Sequence, residues 1–261
     1  MLFFEQQSRY STHCDIMKQK KRFIHVNRWV GMNGAWHNFT KNDKVETMSV
    51  MKEKLLAPGG ALDQLAAIDP DIAEALTRFG PPTDRSLPAS FETLARTILG
   101  QQISRAAASS IWTRMCERKC STASVIAVKT PDDLMPLGLS QRKAEYLIGI
   151  ADEIESGRLD LANLKSMNGD AVQKRLIEIR GIGAWTANNF RIFALGDMDA
   201  WPADDIALQE GMKRLKDLDE RPSGKDLFVL GNAWRPFRGA GALMLWHIYG
   251  ILVRKATIDE I

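Results

Sequence analysis

Two adjacent carboxylates, Asp204 and Asp205, open the apolar-periodic stretch "ADDIALQEG" just after Pro202. Carboxylates are favoured at a helix start, where they cap backbone N–H groups and meet the positive end of the macrodipole. The plain role for the pair is one cap and one solvated side chain. The chemical role is different. A single carboxylate beside a reacting carbon can stabilise developing positive charge, and it can orient or deprotonate an attacking water. Twenty positions before Asp205 stands Trp185, within "RGIGAWTANNF" at 180–190. Indole faces attract cations, by about 0.5–1 kcal/mol at an exposed site and more when desolvated. The plain role of a tryptophan at a helix start is core filling.

Only "RGIG" separates Ile179 from Ala184. So short a link between two helical stripes forces a sharp turn, and glycine permits positive φ and close backbone approach. Ile182 can tuck between the helices. The N–H groups of the turn and of the next helix's first turn then lack intrahelical partners. Such a row of amides suits an anion, a phosphate above all. A nucleic-acid backbone held this way is gripped without its sequence being read. Lys174, Arg175, Arg180 and Arg191 lie nearby in the chain, against Glu178. The rival reading is an ordinary αα-hairpin with a glycine C-cap.

The elements that must position these groups are helices. Asp69 precedes Pro70 as cap and first position, and "GPP" at 80–82 stops that helix. Ser90 precedes "FETLARTIL", and Ile103, Ala107, Ile111 and Met115 form the next stripe. Thr130–Pro131 is another start. Ser140 caps a stretch whose Ala144, Leu147, Ile148, Ala151 and Ile154 share a face. Val172, Leu176 and Ile179 lead into the glycine turn, and Ala187, Phe190 and Ala194 lead out. Leu208, Met212 and Leu215 follow, then Ala240, Leu243, Met244, His247 and Ile251. Nothing alternates with period 2. The pattern predicts an all-α fold with short connections and no solenoid repeat. His247 reads as a hydrogen-bonded core histidine. Arg238 reads as a partner of Asp204 or Asp205, or as solvated. Asp204 is expected to be the cap.

A chain of 261 residues can bury one large core or two small ones. No apolar run approaches the roughly 20 residues of a membrane helix, and no basic-then-apolar leader opens the chain. The expected compartment is the cytoplasm, beside the nucleoid, or the nucleus in a eukaryote, where "KQKKR" would serve for import. The expected oligomeric state is a monomer. Three cysteines are too few for a disulfide scaffold, and no His/Cys/Asp grouping has metal-ligand spacing, so no metal is expected. The net charge of +3 is unevenly placed. Residues 1–47 hold 8 Lys/Arg and 4 Asp/Glu; the remainder holds 27 and 28. The larger part is not basic overall. Any nucleic-acid contact must use local backbone geometry and a few placed cations. Residues 1–47 lack sustained periodicity and are expected to be a poorly ordered basic extension ahead of Met48 or Met51.

The combination "LIEIRGIGAWTANNF", then "WPADD", resembles the helix-hairpin-helix (HhH-GPD) DNA glycosylase superfamily. The alkylation-repair branch, 3-methyladenine DNA glycosylase II of the AlkA type, is the one it looks most like. "ARTILGQQIS" at 95–104, "PLGLSQRKAEYLIGIADEIESGRL" and "WRPFRGAGALMLWHIYG" at 234–250 agree, so the resemblance covers roughly residues 55–255. It implies two helical subdomains flanking a cleft, one from 48–90 plus 200–261 and the other from 91–199. It implies Asp205 as the catalytic residue and a base pocket with Trp185, Trp246 and Asn189; Asn189 stands where the AlkA type often has a tyrosine. It implies a DNA-backbone grip by Arg180, Gly181, Ile182, Gly183, Ala184 and Thr186. Gln102 falls where a side chain fills the gap left by an everted nucleotide, with Gln101 and Ile103 as rivals. Trp185 occupies the position of the lysine nucleophile in lyase-type members, so a Schiff-base step is not expected. The AlkA-type β-rich N-terminal domain has no counterpart. The four-cysteine cluster of other branches is missing, so no iron–sulfur centre is expected. A monovalent cation on hairpin carbonyls is a further implication. The implied activity is monofunctional: excision of alkylated purines from double-stranded DNA, leaving an abasic site in base excision repair. The alternatives are a glycosylase for oxidised or mispaired bases and a non-catalytic DNA-binding module.

Overall fold

Residues 54–254 are described by a computed structural model. The segment 1–47, with Met48 and Met51, lies outside the described residues. Among the described residues every regular element is helical. The helices are α1 (Ala61–Ile68), α2 (Pro70–Phe79), α3 (Phe91–Leu99), α4 (Arg105–Glu117), α5 (Ala123–Ile126), α6 (Pro131–Leu134), α7 (Gln141–Glu155), α8 (Gly169–Ile177), α9 (Ala184–Leu195), α10 (Ile206–Leu215), α11 (Gly224–Leu230) and α12 (Arg238–Leu252). Short 3₁₀ turns cover Met135–Leu137, Asn163–Ser166 and Gly231–Trp234.

The start signals act as the side-chain chemistry requires. Asp69, Ser90, Ser104, Thr130 and Ser140 each accept hydrogen bonds from first-turn amides, satisfying donors that the helix itself leaves open. Ile103 stands before Ser104 rather than inside α4. It closes the turn after α3, half-buried against the neighbouring core.

Two apolar clusters form. One gathers α3 to α8 with Ile182 and the Ala187, Phe190 and Ala194 face of α9. The other gathers α1, α2, α10 and α12 with Trp201 and Trp234. α9 belongs to both, because Ile192 and Phe193 pack into the second cluster. A helix apolar on so much of its circumference is stable only when enclosed, and Thr186 to Ala194 are all buried. α10 and α12 pack closely because Gly211 has no side chain: a Cβ there would lie 2.6 Å from the Leu245 carbonyl oxygen. No helix among the described residues is long and apolar enough to cross a membrane.

Distant parts of the second cluster are pinned at Asp69. Beyond capping α2, its carboxylate accepts from Lys216 Nζ at 2.6 Å and from Trp234 Nε1 at 2.6 Å. Burial pushes this carboxyl up, but the bonds from Lys216 and Trp234 outweigh it and hold the acid below its ordinary range. A group with a depressed folded-state pKa contributes stability above its unfolded value and loses it as pH falls through the folded one. Asp69→Ala should therefore cost about 2–4 kcal/mol at neutral pH, since it removes the α2 cap, leaves a buried indole N–H unpaired and leaves Lys216 with Asp71 alone. Thermal melts should show that deficit narrowing on acidification; a deficit constant down to acid pH would remove Asp69 from this role.

Candidate active site

Asp205, not Asp204, caps α10. Its Oδ1 accepts from Ala207 N at 2.8 Å and Leu208 N at 3.1 Å, while Asp204 is exposed. The expectation of Asp204 as cap is thus reversed. The cause is local: the turn before the helix starts at Pro202, and Asp205 N donates to the Pro202 carbonyl, leaving Asp205 as the residue with extended backbone at the cap. The second oxygen, Oδ2, accepts from Trp185 Nε1 at 2.8 Å. Trp246 also hydrogen-bonds this side chain. The two tryptophans therefore turn their N–H edges to the acid. That donor role was not visible in the sequence, where indole faces were the reason to notice them.

Asp205 is only 2% exposed. Burial pushes its carboxyl above the ordinary carboxylate range, opposed by the bonds from Trp185, Leu208, Trp246 and Ala207. Trp185 and Trp246 are half-buried and cover it. Trp185, Asn189 and Phe193 are spaced four apart on α9 and so share a face. Phe193 stacks against Trp246, with ring centroids 5.3 Å apart. Asn189 stands between these contacts. Its Nδ2 donates to the Trp185 carbonyl at 2.8 Å, and its buried Oδ1 has no hydrogen-bond partner. One carboxylate, two indoles and one spare carbonyl oxygen thus meet where the two clusters join. An open cavity of about 570 Å³ lies elsewhere, at the C-terminal end of α9, lined by Lys54, Gly59, Asp197 and Phe237 among others. It contains none of these side chains.

The glycine turn has the expected geometry. Ile182 is buried in the first cluster. Gly181 adopts φ +98°, and a Cβ there would fall 2.4 Å from the Tyr146 ring. Both the conformation and the close approach demand glycine. Gly183 has φ −87° and caps α9 without any side-chain bond. Gly183 and Ala184 are exposed, so the open amides of the first turn face outward. Thr186 is buried, and its Oγ1 accepts from Gln101. Of the nearby cations, Arg191 turns inward to Asp197 at 2.8 Å, and Arg175 pairs with Glu153 at 2.6 Å. Arg180 projects, 74% exposed, against Glu145 at 3.2 Å and over the Tyr146 ring. Lys174 is exposed. Tyr146, which fixes the turn from α7, carried no sequence signal beyond its place on a helix.

The three gap-filling candidates separate. Gln101 is half-buried, and its amide donates to the Gly181 carbonyl and to Thr186 Oγ1, each at 3.3 Å. Ile103 packs on the first cluster. Gln102 is exposed and adopts φ 59°. The Ile179 carbonyl accepts from Ile182 N, so a monovalent cation on the hairpin would share oxygens already in use. No group of three His, Cys, Asp or Glu side chains with metal-binding geometry occurs among the described residues. Arg238 does not reach either aspartate of the pair: it is buried and forms a bidentate pair with Asp199, Nε at 2.8 Å and Nη2 at 2.7 Å. His247 is fully buried, its Nε2 3.0 Å from the Phe79 carbonyl.

The chain is similar to known proteins over this whole region. It is 30% identical over 198 residues to a DNA-3-methyladenine glycosylase of Bacillus subtilis, covering 71% of this chain and 65% of that protein, just under two thirds of the relative's length. A solved DNA-3-methyladenine glycosidase from Bacillus halodurans superposes with a TM-score of 0.66 at 30% identity, over 77% of this chain and 94% of that one. A Schizosaccharomyces pombe 3-methyladenine DNA glycosylase, solved in complex with abasic DNA, superposes with a TM-score of 0.64 at 27% identity, over 71% and 94%. Residues 95–236, more than half the chain, match the HhH-GPD superfamily of base excision DNA repair proteins, and the chain belongs to that superfamily.

Proposed function

We propose that this protein is a monofunctional DNA glycosylase that everts an alkylated purine and hydrolyses its N-glycosidic bond, leaving an abasic site. The observation that carries the reading is the buried Asp205 carboxylate, held by α10's first amides and by the Trp185 indole. Both of its oxygens already accept hydrogen bonds. These bonds oppose the upward push of burial on the acid without cancelling it, and they leave the carboxylate fixed in place for an electrostatic role: stabilising the positive sugar that forms as the base departs. A desolvated carboxylate is the stronger partner for such a charge. An N-alkylated purine is already cationic, so it leaves without a strong general acid. The same charge suits the electron-rich indoles of Trp185 and Trp246, which must part to admit the nucleotide. With no amine at Trp185, a Schiff-base lyase step has no nucleophile there.

The grip comes from the outward amides of Gly183, Ala184 and Trp185, with Arg180 beside them. Eversion costs a few kcal/mol, least for a lesion that pairs badly. Double-stranded DNA is the partner this surface suits. One site on one chain lets a single copy suffice.

Asp205→Asn should cut base release from methylated duplex by about 100-fold or more while binding is largely kept. The raised folded-state pKa means ionised Asp205 costs stability near neutrality and not in acid. The variant is relieved of that cost, but its single amide oxygen can cap α10 or accept from Trp185, not both, so the two effects oppose and its melting temperature at neutral pH should stay close to that of wild type. Release at wild-type rate would end the assignment. For the wild type, the rate should fall on acidification with a midpoint above 3.8, the ordinary carboxylate value.

Gly183→Ala should leave the melting temperature almost unchanged, because its φ is ordinary and a Cβ would meet nothing within 4 Å. It should weaken binding to all duplexes alike, since the methyl points where the phosphate must sit. Gly181→Ala should instead destabilise the fold by about 1–3 kcal/mol. A loss confined to one base sequence in the Gly183 variant would contradict the phosphate grip.

A further inference from the structure

We propose that Lys143 is a positioning residue for Gln102, fixing the gap-filling turn relative to the hairpin. The inference rests on the glycosylase reading above. Lys143 lies in the first turn of α7, and its Nζ donates to the Leu99 carbonyl at 2.6 Å and the Gln101 carbonyl at 2.7 Å. Leu99 ends α3, where carbonyls have no helical partner and a cation is favoured. The Gln101 amide then reaches across 80 residues of sequence to the Gly181 carbonyl, and to Thr186 Oγ1 at the start of α9. The chain of contacts runs Lys143, Gln101, Gly181. It ties three elements together: the end of α3, the start of α7 and the hairpin.

Gln102 sits on this chain with φ 59°, a left-handed conformation that non-glycine residues seldom adopt. Such conformations persist where the surroundings over-determine them. Here the bonds at Leu99 and Gln101 hold the backbone immediately before Gln102, and Ile103 anchors the other side in the first cluster. The exposed Gln102 side chain is left facing out from a rigid base. The partners of Lys143 are equally informative. No carboxylate pairs with it among the described residues; it spends its charge on two main-chain oxygens. Burial pushes its ammonium below the ordinary lysine range. A surface-stabilising lysine would normally avoid that cost. The hairpin sets where a phosphate is held, and the clamp sets how far from it Gln102 enters the duplex.

The test is a kinetic cycle on a methylated duplex with wild type, Lys143→Met, Gln102→Ala and the double variant, each melted in parallel. Methionine keeps the aliphatic stem and removes the donors. Lys143→Met should lower kcat/KM by about 10- to 100-fold, the scale of an ångström-sized misplacement, and Gln102→Ala should lower it comparably. Because Lys143 acts through Gln102, adding Lys143→Met to Gln102→Ala should cost less than about twofold more. Lys143→Arg, which keeps donors near both carbonyls, should recover part of the loss. Effects that multiply in the double variant, or an inert Gln102→Ala, would overturn the proposal. Should Lys143→Met fail to fold, Gln101→Met breaks the same chain from its other side and must show the same dependence on Gln102. If wild type releases no methylated base, the glycosylase reading fails and this inference falls with it. If wild type is active and only the cycle is additive, the inference alone fails.

Discussion

The hydrogen bond from Trp185 Nε1 to Asp205 Oδ2 joins the two apolar clusters of this molecule at the candidate site. Trp185 belongs to α9, whose first turns pack with the α3-to-α8 cluster. Asp205 caps α10, which packs with α12 in the other. A carboxylate buried to this extent needs donors, because an unpaired charge in the interior is costly. The first amides of α10 supply part of that need and the indoles supply the rest. The same four donors that make burial tolerable also fix the direction in which the carboxylate faces. Positioning and desolvation are therefore one arrangement: to expose the acid, the indoles must move, and a nucleotide entering the site would replace their cover with its own sugar.

In the proposed function a polyanion would be held without a basic surface. Most arginines around the hairpin are engaged: Arg191 with Asp197, Arg175 with Glu153, Arg180 with Glu145. The outward-facing amides at the start of α9 are what remains to meet a phosphate, with Lys174 and Arg180 at the margin. An amide row carries partial charge in a fixed direction and needs no side-chain ordering on binding. That explains how a region with 27 basic and 28 acidic residues can belong to a superfamily of DNA repair proteins. It also explains why the hairpin is braced so firmly, by Ile182 in the core, by Tyr146 against Gly181 and by Gln101 across the turn.

The architecture was legible in the sequence because helices announce themselves locally. Caps at Asp69, Ser90, Thr130 and Ser140 and stripes of period 3.6 are read within a few residues. The glycine turn was legible for the same reason, since Gly181 and Gly183 constrain only their own backbone. Asp205 was singled out only through the family resemblance of its segment. Its partnership was not legible, and neither were those of Arg238 with Asp199 or Arg191 with Asp197, because side-chain pairing depends on how helices are stacked. The cap at Asp205 rather than Asp204 turned on a single residue of turn geometry after Pro202.

Taken alone, the sequence determined which segments are helical, where the tight turn falls and which carboxylates and aromatics are available, since each is set by local backbone preference and residue type. Only the tertiary structure decided that both indole N–H groups point at one buried acid, that Gln102 alone of its trio faces outward, and that Lys143 and Tyr146 brace the turns beside them. Those are contacts between residues far apart in the chain. Such contacts are fixed by the packing of two cores against the shared helix α9, and no local pattern encodes them.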